Sequence, residues 1–198
     1  MNITETMTGN IATNSVGVDN SRIIRAFGQE AHVLVSSEQT DDSFCMLRFS
    51  SPPGNVTPPH LHRTTDETFL VESGEVEINL GGKLLHGRTG DAIYLPKGIP
   101  HAPKVRGNDN LTVVVVCVPG GFDRFFAACA EEFKKGELEL PLLVKLAAEY
   151  GIEFQTGPPC LRQFVRWRSF MTVSVWLDRI DPGTHRRIKG LRLITAIG

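Results

Sequence analysis

Few residues in this sequence bear chemistry, and three of its six histidines fall into one ordered pattern with a carboxylate. His60 and His62 stand two apart, Glu67 follows shortly after, and His101 lies about forty residues further on. On a β-strand, residues two apart point to the same face, so both imidazoles project together. A turn through Arg63–Asp66 lets Glu67 join them from the next strand, and His101, placed after the Pro96-Lys97-Gly98 turn, can complete a set of four. Three imidazoles and one carboxylate suit a single divalent first-row transition metal. Imidazole favours Fe, Ni, Cu and Zn, and a carboxylate oxygen admits Fe and Mn as well. One or two coordination positions then stay free for water, dioxygen or a chelating enolate, which is a catalytic arrangement. The competing reading is a metal-free site with hydrogen-bonded histidines. His32, His86 and His185 lack such partners and read as surface or locally bonded imidazoles.

The elements that must position these residues read as mostly β. From Ile23 to Val118 the chain shows short apolar or alternating runs at Ile23–Phe27, His32–Ser36, Phe44–Phe49, Thr68–Val71, Val76–Leu80, Ala92–Leu95 and Leu111–Val118. Gly81-Gly82, Gly87, Gly90, Pro96-Lys97-Gly98 and Arg106-Gly107-Asn108-Asp109 break these runs as turns. That spacing predicts a β-sandwich or barrel, with Val113–Val116 buried on both faces. After Gly120-Gly121 the period changes: Phe122, Phe125, Phe126, Cys129 and Phe133 share one helical face, and Gly136 ends that helix. A second helix runs from Pro141 to Gly151, with Leu142, Leu143, Leu146, Ala147 and Tyr150 as its apolar side. Both helices are expected to cap the barrel, packing on the sheet or on a second subunit.

Near the ligands, Phe69 and Val71 share the parity of Glu67 and are candidates to line a cavity. Arg48 shares a strand face with Phe44 and Met46. Facing inward it would meet an anionic substrate; facing outward, the favoured reading, it is a solvated charge. Tyr94 either orients a substrate with its hydroxyl or, as strand tyrosines more often do, packs half-buried.

Composition bounds the partners. The 198 residues carry 21 Lys+Arg and 22 Asp+Glu, a net charge of -1, with 41% hydrophobic and 22% charged residues. This is ordinary globular usage and offers no basic surplus for nucleic acid or an anionic membrane. Cys45, Cys117, Cys129 and Cys160 form no CxxC pair and read as free, mostly buried thiols. Met1 to Ser21 holds no Lys or Arg and no apolar run, so it is expected to be a flexible arm without a signal peptide, and the protein to be cytoplasmic. Residues 160–198 carry eight Arg/Lys against two Asp, whereas the preceding residues are acidic on balance. The expected organisation is an arm at 1–21, a barrel at 22–119, a helical segment packing on it at 120–159, and a basic tail at 160–198.

Two longer stretches carry a resemblance. Gly54-Asn-Val-Thr-Pro-Pro-His60-Leu-His62-Arg-Thr-Thr-Asp-Glu67 and on to Gly74 is similar to the first motif of the cupin superfamily, G(x)5HxH(x)4E(x)6G, at every fixed position. Gly90-Asp-Ala-Ile-Tyr-Leu-Pro96-Lys-Gly98-Ile-Pro-His101 resembles the second, G(x)5PxG(x)2H(x)3N, except that Val105 stands where the pattern ends in Asn. Looser matches at Ser37–Asp41, Pro119–Phe122 and Ala147–Phe154 resemble single-domain, quercetin-dioxygenase-like cupins with a helical C-terminus. The likeness covers about residues 22–159. It implies an all-β fold, a jelly-roll β-barrel with short C-terminal helices, enclosing one metal held by His60, His62, Glu67 and His101. It also implies a catalytic role for Glu67, either balancing the metal charge or accepting a substrate proton.

The leading expectation is a metal-dependent, dioxygenase-like enzyme (quercetinase-like) acting on a small oxygenated aromatic or enolic molecule. The alternatives are a non-catalytic metallo-cupin that binds a small molecule, and a metal-dependent sugar or keto-acid isomerase, because fold does not settle function. The metal is one of Fe, Mn, Ni, Cu or Zn. A homodimer is expected, since cupin barrels commonly pair through a sheet edge. The tail beyond Pro159 reads either as an extension that packs Trp167 and Trp176 and presents Arg186-Arg187, or, preferred on its imperfect alternation, as a segment without selected structure.

Overall fold

The computed structural model of this chain describes residues 21–136, 138–155, 173–180 and 187–194. The expected N-terminal arm up to Asn20, Cys160, Trp167, His185 and Arg186 lie outside the described residues. The strands before the first helix are β1 (Arg22–Ala26), β2 (Gln29–Val35), β3 (Cys45–Ser51), β4 (His60–His62), β5 (Asp66–Ser73), β6 (Glu75–Leu80), β7 (Lys83–Arg88), β8 (Ala92–Leu95), β9 (His101–Arg106) and β10 (Leu111–Val118). Helices α1 (Phe122–Lys135) and α2 (Leu140–Glu149) follow, then β11 (Ile152–Phe154), β12 (Val173–Ile180) and β13 (Arg187–Ile194).

Two antiparallel sheets make the barrel. One has the order β1-β2-β3-β10-β5-β8 and the other β11-β4-β9-β6-β7. From β3 to β10 the chain passes back and forth between them, which is the jelly-roll pattern. Alternation along the strands decides what faces inward: in β3, Cys45, Leu47, Phe49 and Ser51 are buried while the residues between them are not. Val76, Ile78, Val105 and Ile152 of the second sheet join these residues in one core. Val113, Val114 and Val115 are buried as expected, while Val116 is half-buried. Gly74, the last fixed position of the first motif, lies at φ +81°, and a Cβ there would sit 2.6 Å from the carbonyl oxygen of Asn110. Only glycine suits that crossing.

Val105 fills the place of the motif's asparagine with a buried apolar side chain, 5% exposed. Its N–H is bonded to the carbonyl of Asn55 at 2.8 Å. The Asn55 amide in turn donates to Phe27 O and accepts from Gln29 Nε2, tying β9 to the β1–β2 turn.

Helix α1 seats its phenylalanine face on the barrel, and Gly136 caps it by donating to Phe133 O. Its start is held by a buried clip. The Asp123 carboxylate accepts the N–H of Ser37 at 3.2 Å and the Ser37 hydroxyl, while Ser37 Oγ accepts the N–H of Gly121 at 2.6 Å. In α2, Leu143 and Ala147 point inward, but Leu142 is 40% exposed and does not belong to the apolar side. Neighbouring helical positions lie about 100° apart, so seating Leu143 turns Leu142 outward.

The segment after Gly120 is not only helical. Beyond α2, β11 pairs antiparallel with β4, setting Ile152 opposite His62 and Phe154 opposite His60. Strands β12 and β13 pair with each other from Val173↔Ile194 to Ile180↔Arg187, in a two-stranded sheet separate from the barrel sheets.

Candidate metal centre

The two sheets bring the four sequence-predicted ligands together. His60 and His62 occupy the inward positions of β4, with Leu61 between them turned away, and His101 at the start of β9 sits directly opposite His60 in the register. Glu67 comes from β5 in the other sheet, so the turn after His62 carries the chain across the barrel rather than along one sheet. Relative exposures are 8% for His60, 3% for His62, 3% for Glu67 and 2% for His101. One ligand atom from each lies within 4.8 Å of the others, a grouping that could hold one metal ion.

The hydrogen bonds around the rings fix which nitrogens face inward. Nδ1 of His60 donates to the Pro58 carbonyl at 2.9 Å, and Nδ1 of His101 to the Ile99 carbonyl at 3.2 Å. Each Nε2 is then a bare lone pair aimed at the cluster, the usual arrangement of metal-bound imidazoles. Glu67 Oε2 lies 3.4 Å from His62 Nε2 and 3.1 Å from His101 Nε2. Both nitrogens are nonetheless buried without a hydrogen-bond partner, because the contacts are close but poorly aligned. The lone pair of His101 Nε2 and the oxygen 3.1 Å from it repel unless a cation sits among them. The orphaned nitrogens therefore fit a metal ion, and the donor set is that of Fe, Mn, Ni, Cu or Zn.

Electrostatics prepare the same state. Burial pushes the His60 imidazole down to about 3, helped by the charges of His101 and His62, and burial also lowers His62. These rings are neutral at pH 7 and can donate electron pairs. For Glu67, burial acts to raise the pKa, but attraction to His62, His101 and His60 in their protonated forms outweighs it and holds the carboxyl below its usual range, so it ionises before those rings lose their protons.

Three residues of the cluster, His60, Glu67 and His101, line a cavity of about 100 Å³. Phe69 lines it, as its parity with Glu67 predicts, while Val71 is buried in the general core. Most of the wall comes from segments that the motifs do not reach: Phe27 and Phe49 from the six-stranded sheet side, Phe122, Phe125 and Phe126 from α1, and Ile152 and Phe154 from β11. Phe49 and Phe126 meet edge to face at 5.1 Å, a favoured aromatic geometry. Gln29 and Thr57 are the polar groups added to the ligands, and no Lys or Arg reaches the wall among the described residues. The signal for α1 was its helical period, which marks a shared face but not what that face covers.

Arg48 and Tyr94 are outside. The Arg48 guanidinium pairs with Glu72 at 2.5 Å on the outer face. Tyr94 is 57% exposed and donates its hydroxyl to Asp66 Oδ1 at 3.0 Å, more exposed than the half-buried packing expected for it. Cys45, Cys117 and Cys129 are free and buried, as expected. Among the described residues no helix is long and apolar enough to cross a membrane.

Comparison with known proteins agrees with this architecture. Residues 47–117 match the sequence profile of the cupin domain. A stretch of 83 residues, 41% of this chain, is 31% identical to quercetin 2,3-dioxygenase of Bacillus subtilis (strain 168). The match spans 25% of that protein's length. Among solved structures, a predicted oxalate decarboxylase from Thermotoga maritima superposes with a TM-score of 0.50 and 22% identity, over 52% of this chain and 97% of the other, a likeness of fold. The sheets, the spacing of the four candidate ligands and the profile match agree: residues 47–117 are similar to a cupin domain, set in a jelly-roll fold.

Proposed function

We propose that this cupin binds one divalent transition metal through His60, His62, Glu67 and His101, and acts as a dioxygenase-like enzyme on a small oxygenated aromatic or enolic substrate. The observation that carries the reading is the setting of the candidate ligands: a donor cluster that could hold a metal, three members of which line a phenylalanine-rich cavity without cationic side chains among the described residues. A bound Fe or Mn ion supplies Lewis acidity and reactivity toward dioxygen. The remaining work falls to the chain. Phe49, Phe122 and Phe126 hold a planar ring by stacking and edge contacts and keep water out. Glu67 is the carboxylate on the cavity wall; ionised, it can accept the hydroxyl proton of an enol or phenol at a carboxylate oxygen.

The size of the cavity narrows the substrate. At about 100 Å³, it is smaller than the roughly 150 Å³ apolar cavity that holds benzene. By that comparison a short enol suits it as it stands, a single ring has to push its walls apart, and the three rings of quercetin, the compound in the relative's name, fit least. A sugar would leave several hydroxyls against phenylalanine without partners, which counts against the isomerase alternative.

Oxygen uptake tests the reading. Protein loaded with Fe or Mn is offered catechols, short enols and quercetin, and uptake is compared with the same concentration of free metal. Consumption above that control, greater for short enols and catechols than for quercetin, is the expected result. Ring binding without oxygen consumption would leave a non-catalytic metal-dependent binder instead.

A further inference from the structure

Two thiols occupy the row of the six-stranded sheet that carries Glu67. The register sets Cys45 of β3 opposite Cys117 of β10, and Cys117 opposite Glu67 of β5. Directly opposed residues on antiparallel strands hold their Cβ atoms about 4.5–5.5 Å apart, so a thiol at this position faces the carboxylate. Cys117 Sγ donates to Glu67 Oε1 at 3.6 Å, and the pair is buried, with Cys117 0% and Glu67 3% exposed. The other oxygen, Oε2, is the one that faces His62 and His101. The two carboxylate oxygens therefore have separate surroundings, one a thiol donor and the other the imidazole cluster.

We propose that Cys117 is a positioning residue of the metal centre: its S–H holds Glu67 Oε1 and so presents Oε2 alone to the ion. The proposal rests on the metal reading of the four-residue cluster. A glutamate carboxylate turns with little resistance about its last torsion, so an unheld Glu67 could chelate with both oxygens or rotate away. A donor fixed at Oε1 removes that freedom, as the Pro58 and Ile99 carbonyls do for the rings of His60 and His101. The single S–H proton has two candidate acceptors, the sulfur of Cys45 and the oxygen of Glu67. The charged oxygen is the stronger acceptor and takes it. If Cys117 acted only as a small buried hydrophobe, valine would replace it without consequence for the metal.

The test uses the full chain as wild type, Cys117→Val, Cys117→Ser and Cys45→Ala. Co²⁺ affinity is measured by competition with a chelator, together with the thermal midpoint of the metal-free protein and the infrared difference spectrum between loaded and metal-free forms. That spectrum separates one-oxygen from two-oxygen carboxylate binding. Cys117→Val is expected to bind Co²⁺ about 10- to 100-fold more weakly, the usual effect of removing an outer partner of a ligand, and to lose the one-oxygen signature. Cys117→Ser keeps a donor and should retain both, as should Cys45→Ala. A packing role alone would shift the metal-free midpoint and leave affinity and spectrum unchanged. Wild-type affinity and signature in Cys117→Val overturn the proposal. If the valine variant does not fold, loss of the one-oxygen signature in folded Cys117→Ser overturns it equally. A wild-type chain that takes up no Co²⁺ overturns the metal reading itself, and this proposal with it.

Discussion

At the scale of residues, the site separates ligands from bystanders sharply enough to test by substitution. His62→Ala and His101→Ala each remove a buried, unpartnered ring nitrogen of the cluster, whereas His86 is exposed and 4.0 Å from Glu77. Metal content by elemental analysis should fall at least about tenfold in the first two variants, since even outer partners of a ligand cost that much, and should not change in His86→Ala. Equal occupancy in all three would contradict the assignment. The same imidazoles make the metal-free protein sensitive to acid. His60 has its pKa lowered from 6.5 to about 3 on folding, so between those values the unfolded chain binds the extra proton and stability declines as pH falls. The group's contribution is intact above pH 6.5 and is lost progressively on acidification, by about 2 kcal/mol at pH 5 for this one residue. Glu67, also lowered, adds in the same direction at more acid pH. Urea midpoints of metal-free protein at pH 7 and pH 5 measure this, and a flat profile would contradict it. The four candidate ligands were legible in the sequence because residue type and spacing single them out, and the fold brings them together. Cys117 was legible only as a buried thiol, because its neighbour Glu67 lies fifty positions away and is set beside it by strand register alone.

At the scale of elements, the sequence marked those strands whose apolar residues alternate or run together. Strands β4, β7, β9 and β11 are short or polar, as Lys83-Leu-Leu-His-Gly-Arg88 and His101-Ala-Pro-Lys-Val-Arg106 illustrate, and take their structure from their neighbours. Phe27, Gln29, Thr57 and Phe154 were not legible as cavity wall for a related reason: they come from separate elements and meet only when both sheets and α1 close. The orientation of α1 depends on its clip. Asp123→Ala would leave the buried N–H and hydroxyl of Ser37 without their acceptor, and should destabilise the fold on the order of 3 kcal/mol. Removing the exposed Asp42 carboxylate that pairs with Arg124 should leave the unfolding midpoint nearly in place. Thermal unfolding of the two variants side by side decides the point. Equal midpoints would show that the clip is not what seats the helix.

At the scale of the whole molecule, the outer side of the six-stranded sheet leaves Leu70 42%, Tyr94 57% and Val118 49% exposed, apolar surface that a second copy would cover. Light scattering is expected to give about 44 kDa, twice the 21.8 kDa of one chain; a value near one chain mass at micromolar concentration would contradict the dimer. Because β12 and β13 pair with each other and with neither barrel sheet, deleting residues 160–198 should leave metal content and thermal midpoint nearly unchanged. A large loss of either would make the tail part of the fold. The pairing of β11 with β4 has a further consequence, for synthesis. All four ligands lie between residues 60 and 101, but the strand that covers β4 arrives only at Ile152–Phe154, after both helices. A ribosome adds that intervening length in a few seconds, at about 5–20 residues per second, whereas a hairpin forms in roughly 1–10 μs. Until Ile152–Phe154 has been made, the edge of β4 that carries His60 and His62 has no β11 to pair with, and an ion taken up in those seconds would meet a site still missing part of its phenylalanine wall.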